Sequence, residues 1–308
     1  MVRRLVIFSL LAAGGAQAQS SVGAPVDPQR AERCAVRLAV AFTGKSPDAT
    51  LLGTADPQTQ VRALLTNTAF LERFSRFINA QFNSEPGATS QEDAAYHLTK
   101  YVLTNGKPWS ELFVGPYKVY VAGGQVQVQD DPNGLGYFRS PPWLKRYAGN
   151  EENGIKLSTA YRILNNTTGV KLIPSVNAAG VDVSANGREA AGCRGCHYDG
   201  WFALDRIASV LTKKVMDGNS VTYEPPTAGP QELLDGQTIS NDKELVEALV
   251  ASSNFEFHTC RLAFKFLYGR NELSCEGPIF DRCVDAFRGE KTIQSALLAV
   301  AGDASFCR

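Results

Sequence analysis

The sequence has no excess of charge of either sign. Its 308 residues include 31 lysines and arginines and 31 aspartates and glutamates. Loss of Arg3 and Arg4 with a leader would leave 29 basic against 31 acidic residues, a net charge of −2. A surface that binds nucleic acid or an anionic membrane through charge needs a basic excess. We therefore expect neither partner.

Apolar runs long enough to span a membrane are missing as well. The N-terminus has Arg3 and Arg4, an apolar run over 5–13 and the triplet Ala16-Gln17-Ala18, which are the three parts of a secretory signal peptide. The apolar run is shorter than the ~20 residues that a transmembrane helix needs. We predict a signal peptide over 1–18, cleavage near Ala18, and an exported protein, periplasmic in a bacterium, without a membrane span.

Common catalytic motifs are absent too. The chain has no Gly-x-Ser-x-Gly, no His-Glu-x-x-His and no phosphate-binding loop, and no pair of carboxylates in it points to an enzyme. No motif therefore indicates a hydrolase or a nucleotide-dependent enzyme.

One motif carries specific chemistry, the C-x-x-C-H formed by Cys193-Arg194-Gly195-Cys196-His197. Two thiols at this spacing can add to one haem, and the histidine that follows can bind its iron. A zinc site would need a second ligand pair, and a thioredoxin-like dithiol would be expected near a βαβ pattern; the sequence shows neither. We predict one covalent haem c on Cys193 and Cys196, with His197 as the proximal ligand. Arg194 and Asp199 are expected to be solvated or to contact haem propionates.

Few side chains remain for the sixth position of such an iron, because the chain has three histidines and two methionines. His258 is the first candidate, 61 residues after His197 and at the start of a predicted helix. Met216 is the second, and His97, from the first part of the chain, is the third. Methionine ligation would raise the potential relative to two histidines, and an open position would permit peroxide or oxygen chemistry.

Helical periodicity dominates the region before residue 116. Apolar residues recur at three-and-four spacing over 31–42, and Gly44 follows as a stop signal. A second helix is predicted from Asp56-Pro57 to Phe82, with a break near Asn67. A third is predicted to end at Asn105-Gly106.

The remainder is more varied. Alternating segments on either side of Gly123-Gly124 predict a β-hairpin. Apolar residues at helical spacing over 201–215 predict one wall of a haem pocket. Asn241 and Gly269 mark the start of one later helix and the end of another.

These patterns predict a mainly α fold. We divide the mature chain into an N-terminal helical domain (19–116), a loop-rich connector with a small β-hairpin (117–179), and a cytochrome c-like helical haem domain (180–308).

Seven cysteines in an exported chain indicate disulfides. Without the haem pair, Cys34, Cys260, Cys275, Cys283 and Cys307 remain. An odd number allows at most two bridges and leaves one thiol over. Our first prediction for one bridge is Cys275 to Cys283, and Cys34 has no assigned partner.

Three segments resemble the planctomycete-type cytochrome c domain proteins: Cys193 to Leu204, Glu244-Leu245, and Cys260 to Arg270 with its Leu267-Tyr268-Gly269-Arg270 ending. The helical region from Phe42 to Phe74 is similar to the domain that precedes the haem domain in that family. The family usually has Asp-Pro-x-Gly after the haem histidine, whereas this chain has Tyr198-Asp199-Gly200. The resemblance implies an exported redox protein and supplies no substrate.

The motif, the signal and the resemblance together predict a periplasmic monohaem c-type cytochrome that transfers single electrons to or from an unknown partner protein. The first alternative is a haem enzyme of peroxidase or oxidase type with an open sixth position. The second is a haem-free exported interaction module in which Cys193 and Cys196 pair. An electron-transfer role is favoured over an enzyme with its own substrate.

Overall fold

The computed structural model describes residues 27–84, 86–87, 93–140, 143–144, 147, 157–172, 180–217, 220–226 and 228–308. Within these ranges the protein is mainly helical, which confirms the predicted fold class. The strands form three separate two-stranded antiparallel sheets. The predicted signal peptide lies outside the described residues.

The described residues up to 172 contain seven α-helices and one hairpin. The helices are α1 (Pro28–Thr43), α2 (Ala49–Leu52), α3 (Val61–Leu64), α4 (Thr68–Phe82), α5 (Ala94–Thr104), α6 (Glu111–Val114) and α7 (Leu157–Thr168), with β1 (Tyr117–Ala122) and β2 (Gln125–Asp130) between the last two.

The second half contains short helices, two further hairpins and a helical C-terminus. In order these are α8 (Ala185–Glu189), α9 (Ala191–Arg194), α10 (Leu204–Ser209), β3 (Lys213–Asp217), β4 (Ser220–Glu224), β5 (Gln231–Leu233), β6 (Gln237–Ile239), α11 (Asp242–Val250), α12 (Ser253–Tyr268), α13 (Gly277–Glu290) and α14 (Ile293–Ala301).

Local capping signals explain where the long helices begin and end. The Asp27 carboxylate accepts a hydrogen bond from the Gln29 N–H at the start of α1, and Gly44 ends that helix in the left-handed conformation, with φ of 70°. Glycine adopts this conformation without the steric cost that a Cβ adds. Asn67 caps α4, which confirms the predicted break in the second helical segment.

Aromatic side chains join α1, α4 and α12 at the centre of the molecule. Phe74 lies edge-on to Phe266, with ring centroids 4.9 Å apart, and Phe70 contacts both Phe42 and Phe266. Burial of a phenylalanine side chain contributes on the order of 2 kcal/mol, and edge-to-face pairs add about 1 kcal/mol. The surrounding apolar cluster extends from Cys34 to Cys307 and includes residues of all three predicted domains. The domain boundaries stay a prediction.

Two disulfides fix the C-terminal helices. Cys34 of α1 is bonded to Cys307, and Cys260 of α12 is bonded to Cys283 of α13. Two bridges form, the largest number that the cysteine count allowed, but the proposed Cys275–Cys283 pairing is wrong. Cys275 is exposed and free, because the packing of α12 on α13 brings Cys260 to Cys283 instead.

The hairpin predicted around Gly123-Gly124 is confirmed by the pairing of β1 with β2. The helix predicted over 201–215 is wrong in its second half. Only α10 is helical there, and from Lys213 onward the backbone pairs with β4. Inter-strand hydrogen bonds take the backbone groups that a longer helix would have used.

Candidate functional site

The C-x-x-C-H motif lies on an accessible part of the molecule. Cys193 is in α9, and Cys196 and His197 are in a single π-helical turn, Gly195–Asp199. No side chain between 181 and 200 is buried. Both motif cysteines are free thiols; Cys196 is exposed and Cys193 is partly exposed. Ligands or partners can therefore reach the motif directly.

A buried carboxylate orients the histidine of the motif. His197 Nδ1 is 2.6 Å from Oδ2 of Asp205, and the Asp205 side chain is only 4% exposed. A carboxylate on one ring nitrogen fixes the tautomer and ring orientation and leaves the other nitrogen for chemistry. His197 is thus positioned with Nε2 as the nitrogen available for proton transfer.

The negative charge of Asp205 is balanced by Arg188. Arg188 Nε donates to both carboxylate oxygens at 3.0 and 3.1 Å, and its Nη2 donates to Oδ1 at 2.9 Å. This fork geometry is the strongest form of a carboxylate–guanidinium pair. Arg188 also donates to the Val183 carbonyl at 2.5 Å, which ties the segment before α8 to the site. The three side chains form one connected unit.

The local backbone explains how Asp205 reaches the motif. The Ala203 N–H donates to the Gly200 carbonyl at 3.0 Å, and Ala203 has φ of 29°. A positive φ is costly for a residue with a Cβ. This tight turn reverses the chain, so that the first turn of α10 packs on the π-helical turn.

Tyr198, Arg194 and Asp199 complete the surroundings of the motif. Burial raises the pKa of the Tyr198 phenol, and the charge of Asp205 raises it further. Arg194 Nε donates to Asp199 at 2.8 Å, and both side chains are about half exposed. An ion pair this exposed contributes at most about 1 kcal/mol, in keeping with the predicted solvated role.

The predicted haem c, and with it the electron-transfer cytochrome, is wrong. Across the described residues, no three His, Cys, Asp or Glu side chains are grouped so that they could hold a metal ion. Four of the seven cysteines are instead paired as disulfides. The haem enzyme with an open sixth position depends on the same cofactor and is set aside with it.

The three candidates for the sixth iron ligand lie on different elements. Met216 is in β3, opposite Val221, rather than at a helix end. His97 is on α5, edge-on to Tyr96 at 4.8 Å. His258 is in the first half of α12 with its ring 6.4 Å from that of Phe82. These three residues were predicted as ligands of a haem iron, and without the haem that prediction has no basis.

His258 lines a cavity of about 140 Å³ between the end of α7 and α12. Its Nε2 is buried and has no hydrogen-bond partner among the described residues. Burial lowers the pKa of His258 to about 3, and the charges of Arg261, Lys265 and Lys171 act in the same direction. The imidazole is therefore neutral at physiological pH.

Sequence reasoning missed Asp205, Arg188 and this cavity. Asp205 follows His197 by eight residues, and only the reversal at Ala203 brings the two together. The cavity joins residues from α4, α7 and α12, which are far apart in the chain. An acidic residue at the start of a helix just after a reactive motif was the one signal that the sequence offered.

None of the described helices is long and apolar enough to cross a membrane. Comparison with known proteins adds no assignment: no family model, no curated protein and no solved structure matches the chain. The resemblance to planctomycete-type cytochrome c domain proteins stays a prediction.

Proposed function

We propose that this protein is a haem-free, exported binding module that engages a partner protein by thiol–disulfide exchange at Cys193 and Cys196. The observation that carries the proposal is that the cysteines of this chain differ in oxidation state and in accessibility. Four buried cysteines are oxidised in pairs, whereas two accessible cysteines three residues apart are both reduced. Disulfides persist in oxidising compartments, which supports export of the chain and gives the free pair disulfides to react with.

The spacing of the two cysteines suits this chemistry. On a helical surface, side chains three apart have Cβ atoms roughly 5–6 Å from one another, and a disulfide needs about 3.5–4.5 Å. A small closure of α9 onto the π-helical turn brings Cys193 and Cys196 within bonding distance. The chain lacks the βαβ pattern of thioredoxin-like proteins. That absence argues against a thioredoxin-like fold, but it does not argue against thiol–disulfide exchange on a different fold.

The exchange proceeds in two steps. The thiolate of Cys196, the more exposed residue, attacks a disulfide of the partner, forming a mixed disulfide and releasing one partner sulfur as a thiolate. The thiolate of Cys193 then attacks the Cys196 sulfur and releases the second partner sulfur. Two electrons pass from the dithiol to the partner, and the two protons lost here end on the partner's thiols.

His197 is placed to accept one of those protons. His197, in the π-helical turn, follows Cys193 of α9 by four residues, and Cys193 is the cysteine that resolves the mixed disulfide. Asp205 holds Nδ1, and Nε2 is left as the base. The Arg188–Asp205 pair keeps the ring in place during the reaction.

Trapping the mixed disulfide tests the proposal. Cys275→Ser removes the third free thiol and serves as the background. In that background, Cys193→Ser is expected to form a stable adduct with glutathione disulfide at Cys196, seen by intact mass and peptide mapping. The background protein itself is expected to form a reversible Cys193–Cys196 bridge, and Cys196→Ser is the matched control that loses the rapid adduct.

Two results would overturn the proposal. One is that both thiols of the native protein fail to react with glutathione disulfide and with a maleimide. The other is that Cys193 and Cys196 carry an added group that survives denaturation and thiol reduction, because such a bond is not a disulfide. His197→Gln is expected to slow resolution of the mixed disulfide while leaving its formation unchanged.

A further inference from the structure

The cavity beside His258 lies where the end of α7 approaches α12 and the last turn of α4. The N–H of Gly169, which ends α7, donates to the Asn165 carbonyl at 2.9 Å, and the Asn165 side chain donates to the Val170 carbonyl at 2.8 Å. Gly169 has φ of 73°, and a Cβ at this position would run into the His258 ring. Only glycine lets the end of α7 approach α12 this closely.

Cationic side chains surround the cavity. Lys171, Arg261 and Lys265 line it together with His258. Lys265 donates from Nζ to Oε1 of Gln81, a neutral acceptor, at 2.7 Å. Neither lysine forms an ion pair with a carboxylate in the part of the chain that the structure describes. Burial lowers the pKa of Lys265, and the charge of Lys171 lowers it further.

One carboxylate, Glu272, pairs with the arginine of the cavity. Glu272 Oε1 accepts from Arg261 Nε at 2.9 Å, while Glu272 Oε2 is buried without a hydrogen-bond partner among the described residues. Three cations and one carboxylate leave a net charge of two positive at the cavity. A cluster of like charges and an unpaired imidazole nitrogen is unfavourable unless a further group compensates it.

We propose that this cavity binds a small dianionic oxyanion, a phosphoryl group or a compact dicarboxylate, between Lys171, Lys265 and Arg261. The volume of about 140 Å³ accommodates a group of that size. The two lysines supply charge, and the neutral imidazole supplies an N–H donor at the wall. The site shares no residue with the Cys193–Cys196 dithiol.

Binding of inorganic phosphate and of malonate, measured by calorimetry and by thermal unfolding at constant ionic strength set with sodium chloride, tests the proposal. We expect saturable binding with a rise in Tm for at least one of them, and the tighter of the two identifies the ligand chemistry. Lys171→Met is expected to weaken binding tenfold or more, and because Lys171 is exposed this variant keeps the fold. Lys265→Met is expected to act in the same direction.

Two controls separate specific binding from general charge effects. Lys118→Met removes a lysine from β1 that does not line the cavity and is expected to leave the affinity unchanged. The chain has only three histidines, so long-range proton–nitrogen spectra resolve each imidazole. Phosphate or malonate is expected to shift the signals of His258 and leave those of His97 and His197 in place.

The absence of saturable binding of both anions would overturn the proposal, as would equal affinities of the wild type, Lys171→Met and Lys118→Met. A shift of all three histidines together would also count against it, because it would indicate a general salt effect. Cys193→Ser and Cys196→Ser are expected to bind the anion like the wild type. Refutation of the thiol–disulfide exchange at Cys193 and Cys196 would therefore not refute the anion site.

Discussion

His258 should make the stability of the protein depend on pH between pH 7 and 5, above the range in which most carboxylates titrate. Its pKa is about 3 in the folded protein and 6.5 in the unfolded chain. Below pH 6.5 the unfolded state binds a proton that the folded state does not, so the free energy of unfolding falls as the pH falls. The loss grows by about 1.4 kcal/mol per pH unit and levels off below pH 3.

The loss of unfolding free energy at pH 5 follows directly, because pH 5 lies 1.5 units below the pKa of 6.5 that His258 has in the unfolded chain. The wild type should lose about 2 kcal/mol relative to pH 7 through this one group. His258→Phe keeps a ring beside Phe82 and cannot titrate. Urea unfolding of both proteins in phosphate-free buffer isolates the effect as the difference between their pH profiles. If the two profiles run parallel between pH 7 and 5, the imidazole is not buried as described and the reasoning fails.

Three further predictions concern the free energy of unfolding, and each is measured by urea unfolding. Asp205→Asn should destabilise the protein by about 3 kcal/mol, because it removes the buried carboxylate that pairs with both Arg188 and His197; a change below 1 kcal/mol would contradict the assigned network. Replacing both cysteines of the Cys34 bridge, which spans 273 residues, should cost about 2 kcal/mol more than removing the Cys260 bridge, which spans 23, and equal losses would refute that ranking. Phe74→Ala should cost about 3–5 kcal/mol, because the buried ring contacts four other aromatic rings.

Features encoded over a few residues could be predicted from the sequence. The glycine that ends α1, the asparagine that caps α4 and the two glycines of the first hairpin act on their own neighbours. Such signals depend on backbone geometry and side-chain hydrogen bonds within one turn. The mainly α fold class follows because these signals agree with the apolar periodicity.

Features that depend on tertiary contact could not be predicted in this way. The bond between Cys34 and Cys307 joins the two ends of the described chain, and no local pattern specifies which cysteine meets which. Asp205 reaches His197 only through the positive-φ reversal at Ala203. The C-x-x-C-H motif was recognised, but its chemistry was assigned from its spacing, the export signal and the family resemblance, none of which contains a tertiary contact.

Burial divides the seven cysteines into two chemical classes. It explains why the positions of the cysteines in the sequence did not predict their chemistry. The four bridged cysteines are between 0% and 8% exposed, and their sulfurs meet because α1, α12, α13 and the C-terminal turn that carries Cys307 pack into the apolar cluster. The three free cysteines lie outside that cluster, at the accessible motif and in the loop before α13. A buried bridge is protected from attacking thiolates, whereas an accessible thiol exchanges with whatever disulfide reaches it. Cys275 has no neighbouring thiol to resolve a mixed disulfide, and Cys193 and Cys196 each have one. The tertiary fold, and not the number of cysteines, therefore sets which thiols can carry reversible chemistry.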